Sequence, residues 1–102
     1  MAGVGKMLKQ AQKMQQRIEA VQQELTEKEI EVTSGGGAIT VRINGQGRFL
    51  GVKFDPEFLK EEQAFIEESL VAALQEASDR AKEESEEMMK KATAGFNLPG
   101  LM

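Results

Sequence analysis

The first seventeen residues contain four basic side chains and no acidic one, although the whole chain has a formal net charge of -4. The bases are Lys6, Lys9, Lys13 and Arg17. On a helix they share one stripe that extends about 16 Å along the axis. Such a stripe suits the binding of several phosphate groups. A solvated helix face would have the same pattern, and the segment alone leaves both interpretations open.

Gln12 and Gln16 border this stripe and can donate hydrogen bonds to phosphate oxygens or to base edges. Apolar residues on the neighbouring side follow one another in alternating steps of four and three, which is typical of a seam that packs against another helix. The seam consists of Met7, Ala11, Met14, Ile18, Val21 and Leu25. Because a chain this short offers few helices, we expect the last four of these residues to form a dimer interface. A thin apolar face without an aromatic residue argues against binding to a membrane surface.

The composition argues against an enzyme. The chain has no His and no Cys, so the commonest general base and the commonest metal ligands are missing. The Gly35–Gly37 run lacks the Gly-Lys-Ser/Thr of a phosphate-binding loop, and it lies between two predicted strands. The glutamates of residues 83–87 are spaced along a helix surface, as in a solvated face. We expect no catalytic residue, metal, cofactor or small-molecule substrate.

The sequence also predicts where the protein works. No apolar run approaches the roughly 20 residues needed to span a bilayer, and no continuous apolar segment near the N-terminus resembles a secretory signal. The absence of Cys fits a reducing compartment. We therefore expect an unprocessed, cytoplasmic protein that has no membrane partner.

The remaining secondary-structure elements are predicted from a change in the spacing of apolar residues along the chain. A long helix over about residues 5–28 is followed by three segments, 29–32, 39–43 and 50–54, in which apolar and polar residues alternate. Asn44-Gly45 predicts a tight hairpin of type I′, and Asp55-Pro56 ends the third strand. A second long helix with an alanine-rich stripe follows, and its end is expected to project from the body. The prediction is an α+β fold, α-β-β-β-α, with a three-stranded antiparallel sheet.

Four stretches resemble, in order, the YbaB/EbfC family of bacterial nucleoid-associated proteins. They are MLKQAQKMQ (7–15), VRINGQGRFLGVKFDPEFL (41–59), LVAALQEASDRAKEESEEMMKKATAG (70–95) and a closing PG (99–100). The resemblance implies one dimerising domain over residues 1–95 with a flexible tail over 96–102. It also implies a homodimer whose long helices project like tweezers, and duplex DNA as the partner.

In this family the projecting helices are the suspected contact elements. On this sequence they are the helix with the first four bases and the end of the second helix, which carries Arg80, Lys82, Lys90 and Lys91. The second helix is rich in Glu, so we expect most of the binding on the first helix. The predicted function is a nucleoid-associated protein that organises the nucleoid or regulates genes. The alternative is a chaperone-like or scaffold protein that binds other proteins through its projecting helices.

Overall fold

The computed structural model describes residues 2–95, and the predicted tail over residues 96–102 lies outside this part of the chain. The elements are α1 (Ala2–Glu27), β1 (Glu29–Ser34), β2 (Ile39–Asn44), β3 (Phe49–Phe54) and α2 (Gln63–Thr93). Short 3-10 helices cover Gly35–Gly37 and Phe58–Lys60. The predicted α-β-β-β-α order and the α+β class are confirmed.

The three strands form one antiparallel sheet in the order β1-β2-β3. Val32, Val41 and Val52 face one another across it and mark the apolar face that the alternation predicts. Helix α2 packs on this face through the small side chains of Ala73, Ala77 and Ala81, which allow its backbone to approach the sheet closely. The buried core consists of Val32, Ile39, Val41, Ile43, Ala73, Ala77 and Ala81.

Helix α2 covers the sheet unevenly, because it packs on β1 and β2 and leaves the inner face of β3 open. Val52 remains 41% exposed there although its neighbour Val41 is fully buried. A bulge between Arg42 and Ile43 shifts the register, so that Phe49 lies opposite Ile43 in place of Leu50. The strand alternation was therefore correct for the paired residues, but part of the predicted core face is exposed.

The turn between β2 and β3 differs from the predicted type I′ hairpin. Such a turn needs positive φ at both central residues, but neither Asn44 nor Gly45 has it. Gly47 does, at 89°, and donates its N–H to the carbonyl of Asn44 at 3.0 Å. The loop is longer than predicted because the Asn44 side chain closes it, accepting bonds from the backbone N–H groups of Gln46 and Arg48.

Part of the seam of α1 packs against α2 of the same chain, and the two helices run in opposite directions. Met7 and Ala11, at the start of the seam, are exposed. Lys28, directly after α1, forms an ion pair with Glu84 of α2. Farther along, Val21 lines the groove between the helices together with Met88 and Ala92. The end of α2, which we expected to project from the body, lies alongside α1. The molecule is elongated, with its longest dimension at 71 Å.

Candidate nucleic-acid interface

The N-terminal part of α1 extends past the end of α2. Arg17 lines the groove beside Lys91, and α2 ends at Thr93, whereas α1 reaches back to Ala2. Every side chain of residues 3–13 is exposed. We call residues 3–13 the basic arm, because they contain Lys6, Lys9 and Lys13 and no acid. An exposed helix with charges of one sign can approach a polyanion without displacing any packed structure.

The arm becomes part of the packed body near residue 14. Arg17 is exposed at this junction, and the predicted hydrogen-bonding residues Gln12 and Gln16 are exposed on the same helix. The structure brings Lys91 of α2 to the groove that Arg17 lines, where Lys91 also pairs with Glu87 at 3.7 Å. One predicted cation of α2 is therefore close enough to continue the stripe of α1.

The other three predicted cations of α2 lie apart from that stripe. Lys90 borders a surface that contains Glu83, Glu86 and Glu87 and that Lys91 also lines, so acidic neighbours offset both charges. Lys82 lies beside the β2–β3 turn, nearer the body. Arg80 is exposed one turn before Glu84 and helps to lower the pKa of that carboxyl. The candidate interface is thus concentrated on α1, with Lys91 as its neighbour.

The four residues that we assigned to a dimer interface are partly enclosed within the protomer. Met14 is 8% exposed and Leu25 is 2% exposed, whereas Ile18 and Val21 are half-buried. The periodicity correctly indicated that this seam is covered. Their assignment to a dimer interface stays a prediction, and the burial of Met14 and Leu25 leaves Ile18 and Val21 as its more accessible members.

The sequence did not reveal the contact that holds the other end of α1. The turn residues 44–46 donate hydrogen bonds to carbonyl groups at the C-terminal end of this helix, and we call them the hairpin clamp. Gly45 N–H donates to the Leu25 carbonyl at 2.8 Å and to the Lys28 carbonyl at 3.1 Å. The side-chain amides of Asn44 and Gln46 donate to other α1 carbonyls. The Asn-Gly pair predicted a turn, but nothing local indicates its partner.

Charge also ties α1 to α2 near the clamp. The ammonium group of Lys28 donates a hydrogen bond to the Glu84 carboxylate, and this bond and its charge hold the pKa of Glu84 below its usual value. Both side chains remain well exposed, at 43% and 35%, so solvent screens the pair. We therefore regard it as a minor contribution beside the clamp.

Within residues 2–95, no helix has the length and the apolar character that crossing a membrane requires. In the same part of the chain, acidic side chains do not gather into a group that could hold a metal ion. The exposed cations of α1 remain the feature most suited to a ligand, and that ligand would be anionic.

Comparisons with known proteins agree with this. Residues 1–96 match the model of the YbaB/EbfC DNA-binding family. A nucleoid-associated protein of Clostridium novyi is 39% identical over 99 residues, which cover 96% of this chain and 87% of that protein. One of Agrobacterium fabrum is 39% identical over 94 residues, with 91% and 88% covered.

The fold is also present in a solved structure. The crystal structure of an uncharacterized Helicobacter pylori protein superposes with a TM-score of 0.71 and covers 89% of this chain and 94% of that one. Its sequence is 20% identical, so it supports the fold alone. Fold and family match therefore agree over almost the whole length, and the chain belongs to the YbaB/EbfC DNA-binding family.

Proposed function

We propose that this protein binds duplex DNA largely through phosphate contacts from α1, and that it organises the nucleoid or regulates genes in the cytoplasm. The observation that carries the proposal is the basic arm. Its cations are exposed and have no acidic neighbour on the same segment, which is unusual in a chain of net charge -4. The printed names of the relatives, nucleoid-associated proteins, support the same conclusion.

The stripe matches the ligand in length and charge. Duplex DNA carries one charge per roughly 1.7 Å of its axis, so a stripe of about 16 Å faces several phosphates. Lys6, Lys9 and Lys13 supply point charges, and the Arg17 guanidinium at the junction can contact phosphate oxygens in a bidentate manner. Because phosphates carry no base identity, we expect weak sequence preference.

A homodimer is part of this proposal, since two arms would engage DNA with greater avidity than one. The open inner face of β3 supports it. Phe49, Leu50 and Val52 are each more than 40% exposed on an edge strand, where unpaired apolar surface favours association. In this proposal a second copy packs on that face and both arms stay exposed.

The experiment is a fluorescence-anisotropy titration of a labelled random duplex of about 30 base pairs across a salt series. Four bases per protomer neutralise at most about eight phosphates in a dimer, so the log-log slope should be negative and no steeper than about -7. Sedimentation at the same protein concentrations gives the oligomeric state. Absence of binding at low salt would reject the proposal, and binding that is insensitive to salt would reject the phosphate mechanism.

A chaperone-like or scaffold function is the second candidate, and one observation favours it. Val4, Met7 and Leu8 on the basic arm are more than half exposed, as a surface for apolar segments of other proteins would be. This alternative predicts that the protein suppresses aggregation of an unfolded client and that duplex DNA does not compete. Competition by DNA would instead assign the arm to nucleic acid.

A further inference from the structure

We infer that the hairpin clamp is a positioning device for the basic arm: it fixes the axial position and the rotation of α1, with Gln46 as a positioning residue for DNA binding. The inference rests on the proposed function only in the last step, from arm to DNA. The clamp lies at the end of α1 opposite the basic arm, so we expect it to act without contacting the ligand. It acts through the helix itself.

Two of the acceptors of the clamp, the carbonyl groups of Leu25 and Thr26, are among the last four of α1, which a helix end leaves without an intrahelical partner. The Gln22 carbonyl lies one turn earlier and also accepts a bond from the Thr26 hydroxyl. Asn44 Nδ2 donates to the Thr26 carbonyl at 3.2 Å, and Gln46 Nε2 donates to the Gln22 carbonyl at 2.9 Å. Gly45 N–H adds its bond to Leu25. Three consecutive residues of one turn thus bind three different positions of one helix end. The last turn of α1 contains no basic side chain that could bind these carbonyl groups in place of the clamp.

The fit is close as well as hydrogen-bonded. Gly45 is buried, and a Cβ atom at that position would lie 2.6 Å from Leu25 Cδ2 and 2.9 Å from the Leu25 carbonyl oxygen. Asn44 is 5% exposed and also closes its own turn. The clamp is therefore rigidly attached to the sheet, and it can transmit the orientation of the sheet to α1.

Packing against α2 restrains α1 in a different way. The groove between the two helices is lined by the apolar residues Val21, Met88 and Ala92 together with the charged residues Arg17, Glu24 and Lys91. Its apolar contacts carry little directional preference. A helix can rotate or slide slightly along such a surface. Hydrogen bonds restrict these movements because their energy falls steeply with angle. Packing thus keeps the two helices together, while the clamp determines the rotation of α1 and therefore the direction in which its basic residues point.

The length of α1 amplifies any movement at the clamp. Sixteen residues separate Gln22, the acceptor of the Gln46 bond, from Lys6, which corresponds to about 24 Å of helix. A tilt of about 10° at the base would displace Lys6 by about 4 Å, more than the length of a charge-assisted hydrogen bond. A loosened base would therefore spread the cations over many orientations and reduce the number that meet phosphates together.

The test uses Gln46→Glu, which keeps the shape of the side chain but cannot donate to the Gln22 carbonyl and places an acid at a helix C-terminus. Gln46→Ala removes the bond without adding charge. Gln75→Glu is the matched control, since Gln75 is exposed on α2 and the substitution changes the net charge equally. Gln46 is itself exposed, so both variants are expected to fold.

Because the chain has no Cys, Gln10→Cys on the arm and Thr33→Cys on β1 allow specific labelling with a donor and an acceptor. Labelled chains are diluted into unlabelled protein, so that energy transfer reports distances within one protomer. We expect both Gln46 variants to broaden the distance distribution, to weaken DNA binding roughly three- to tenfold and to make its salt slope less steep. Gln75→Glu should change none of these quantities.

An unchanged distance distribution in Gln46→Glu would overturn the inference, whatever happens to binding. A broadened distribution with unchanged DNA affinity would overturn the role in DNA binding. If the unsubstituted protein bound no duplex at low salt while Gln46→Glu still broadened the distribution, the proposed function would fail and the clamp's control of the arm would stand.

Discussion

The two ends of α1 are built by opposite means. The basic arm at its N-terminal end is exposed at every side chain from residue 3 to residue 13 and carries one sign of charge. At the C-terminal end, Leu25 is buried and the hairpin clamp binds three helix carbonyls. The same helix thus separates a ligand-binding surface from a structural anchor. Loss of charge at one end should alter binding without altering stability, whereas substitutions at the other should alter stability or the position of the arm.

The largest effect is expected from reversing the charge of the arm. Lys6→Glu, Lys9→Glu and Lys13→Glu together remove six cations from a dimer and add six acids. Loss of six phosphate contacts should weaken duplex binding by about a thousandfold or more at moderate salt. The urea midpoint of unfolding should not change, because all three side chains are exposed. Anisotropy and urea unfolding measure the two quantities.

The control for this variant reverses three cations of the body, Arg48, Lys53 and Lys60, which are exposed on the turn, on β3 and after it. It alters the net charge equally, so only the location of the charge differs. Similar losses in both variants would mean that net charge, and not the arm, governs binding. A monomeric arm variant would instead assign the basic stripe to the subunit interface.

The next effect compares the stability change caused by Gly→Ala beside the C-terminal end of α1, at Gly45 of the turn, with that of the same substitution on the arm, at Gly5. Gly45→Ala forces a Cβ to within 3.0 Å of Leu25 atoms, including backbone, and should cost about 1–3 kcal/mol of unfolding free energy. Gly5→Ala lies on the arm, where nothing is within 4 Å of the added atom. It should stabilise that helix by up to about 1 kcal/mol through propensity alone. Equal shifts in urea midpoint would refute the contrast between anchor and arm.

The smallest effect concerns the ion pair beside the clamp. The pKa of Glu84 is lowered in the folded protein, so its contribution to stability is present above the usual carboxyl pKa and is lost as pH falls through the folded value. Glu84→Gln should therefore lower the urea midpoint slightly near neutral pH and leave it unchanged well below about pH 4. Glu76→Gln, exposed on the same helix, is the control. A difference from the unsubstituted protein that persists in acid would contradict the assignment.

Local pattern predicted the elements well, because burial on one face gives each element its own period. The seam of α1 was predicted correctly from Met14 to Leu25, whereas Met7 and Ala11 are exposed, and the alternation in β1 and β2 was correct. A period shows that a surface is covered but not what covers it, and so α2 of the same chain was missed as the partner of α1. The type I′ turn was wrong for a similar reason: Gly45 is required by its contact with Leu25 and not by its own φ.

The candidate site likewise has features that local sequence pattern predicted and features that it could not predict. The four bases of α1 share a stripe by helical geometry alone, and the structure leaves them exposed. The proximity of Lys91 to Arg17 depends on how two helices pair across about seventy residues of sequence, and no local rule gives that register. The glutamates around Lys90 are visible in the sequence, and the structure places Glu83, Glu86 and Glu87 beside it. The smaller share of α2 in DNA contact stays a prediction.

The clamp also bears on how this protein ages. An Asn-Gly sequence is prone to deamidation, in which the glycine nitrogen attacks the side-chain amide carbon of the asparagine and forms a succinimide. Here the Gly45 N–H is engaged with two carbonyls, and both ends of the Asn44 amide are hydrogen-bonded. The ring cannot close until the turn opens. Conversion of Asn44 to aspartate would remove the donor to Thr26, so the chemical lifetime of the protein and the anchorage of α1 depend on the same few hydrogen bonds.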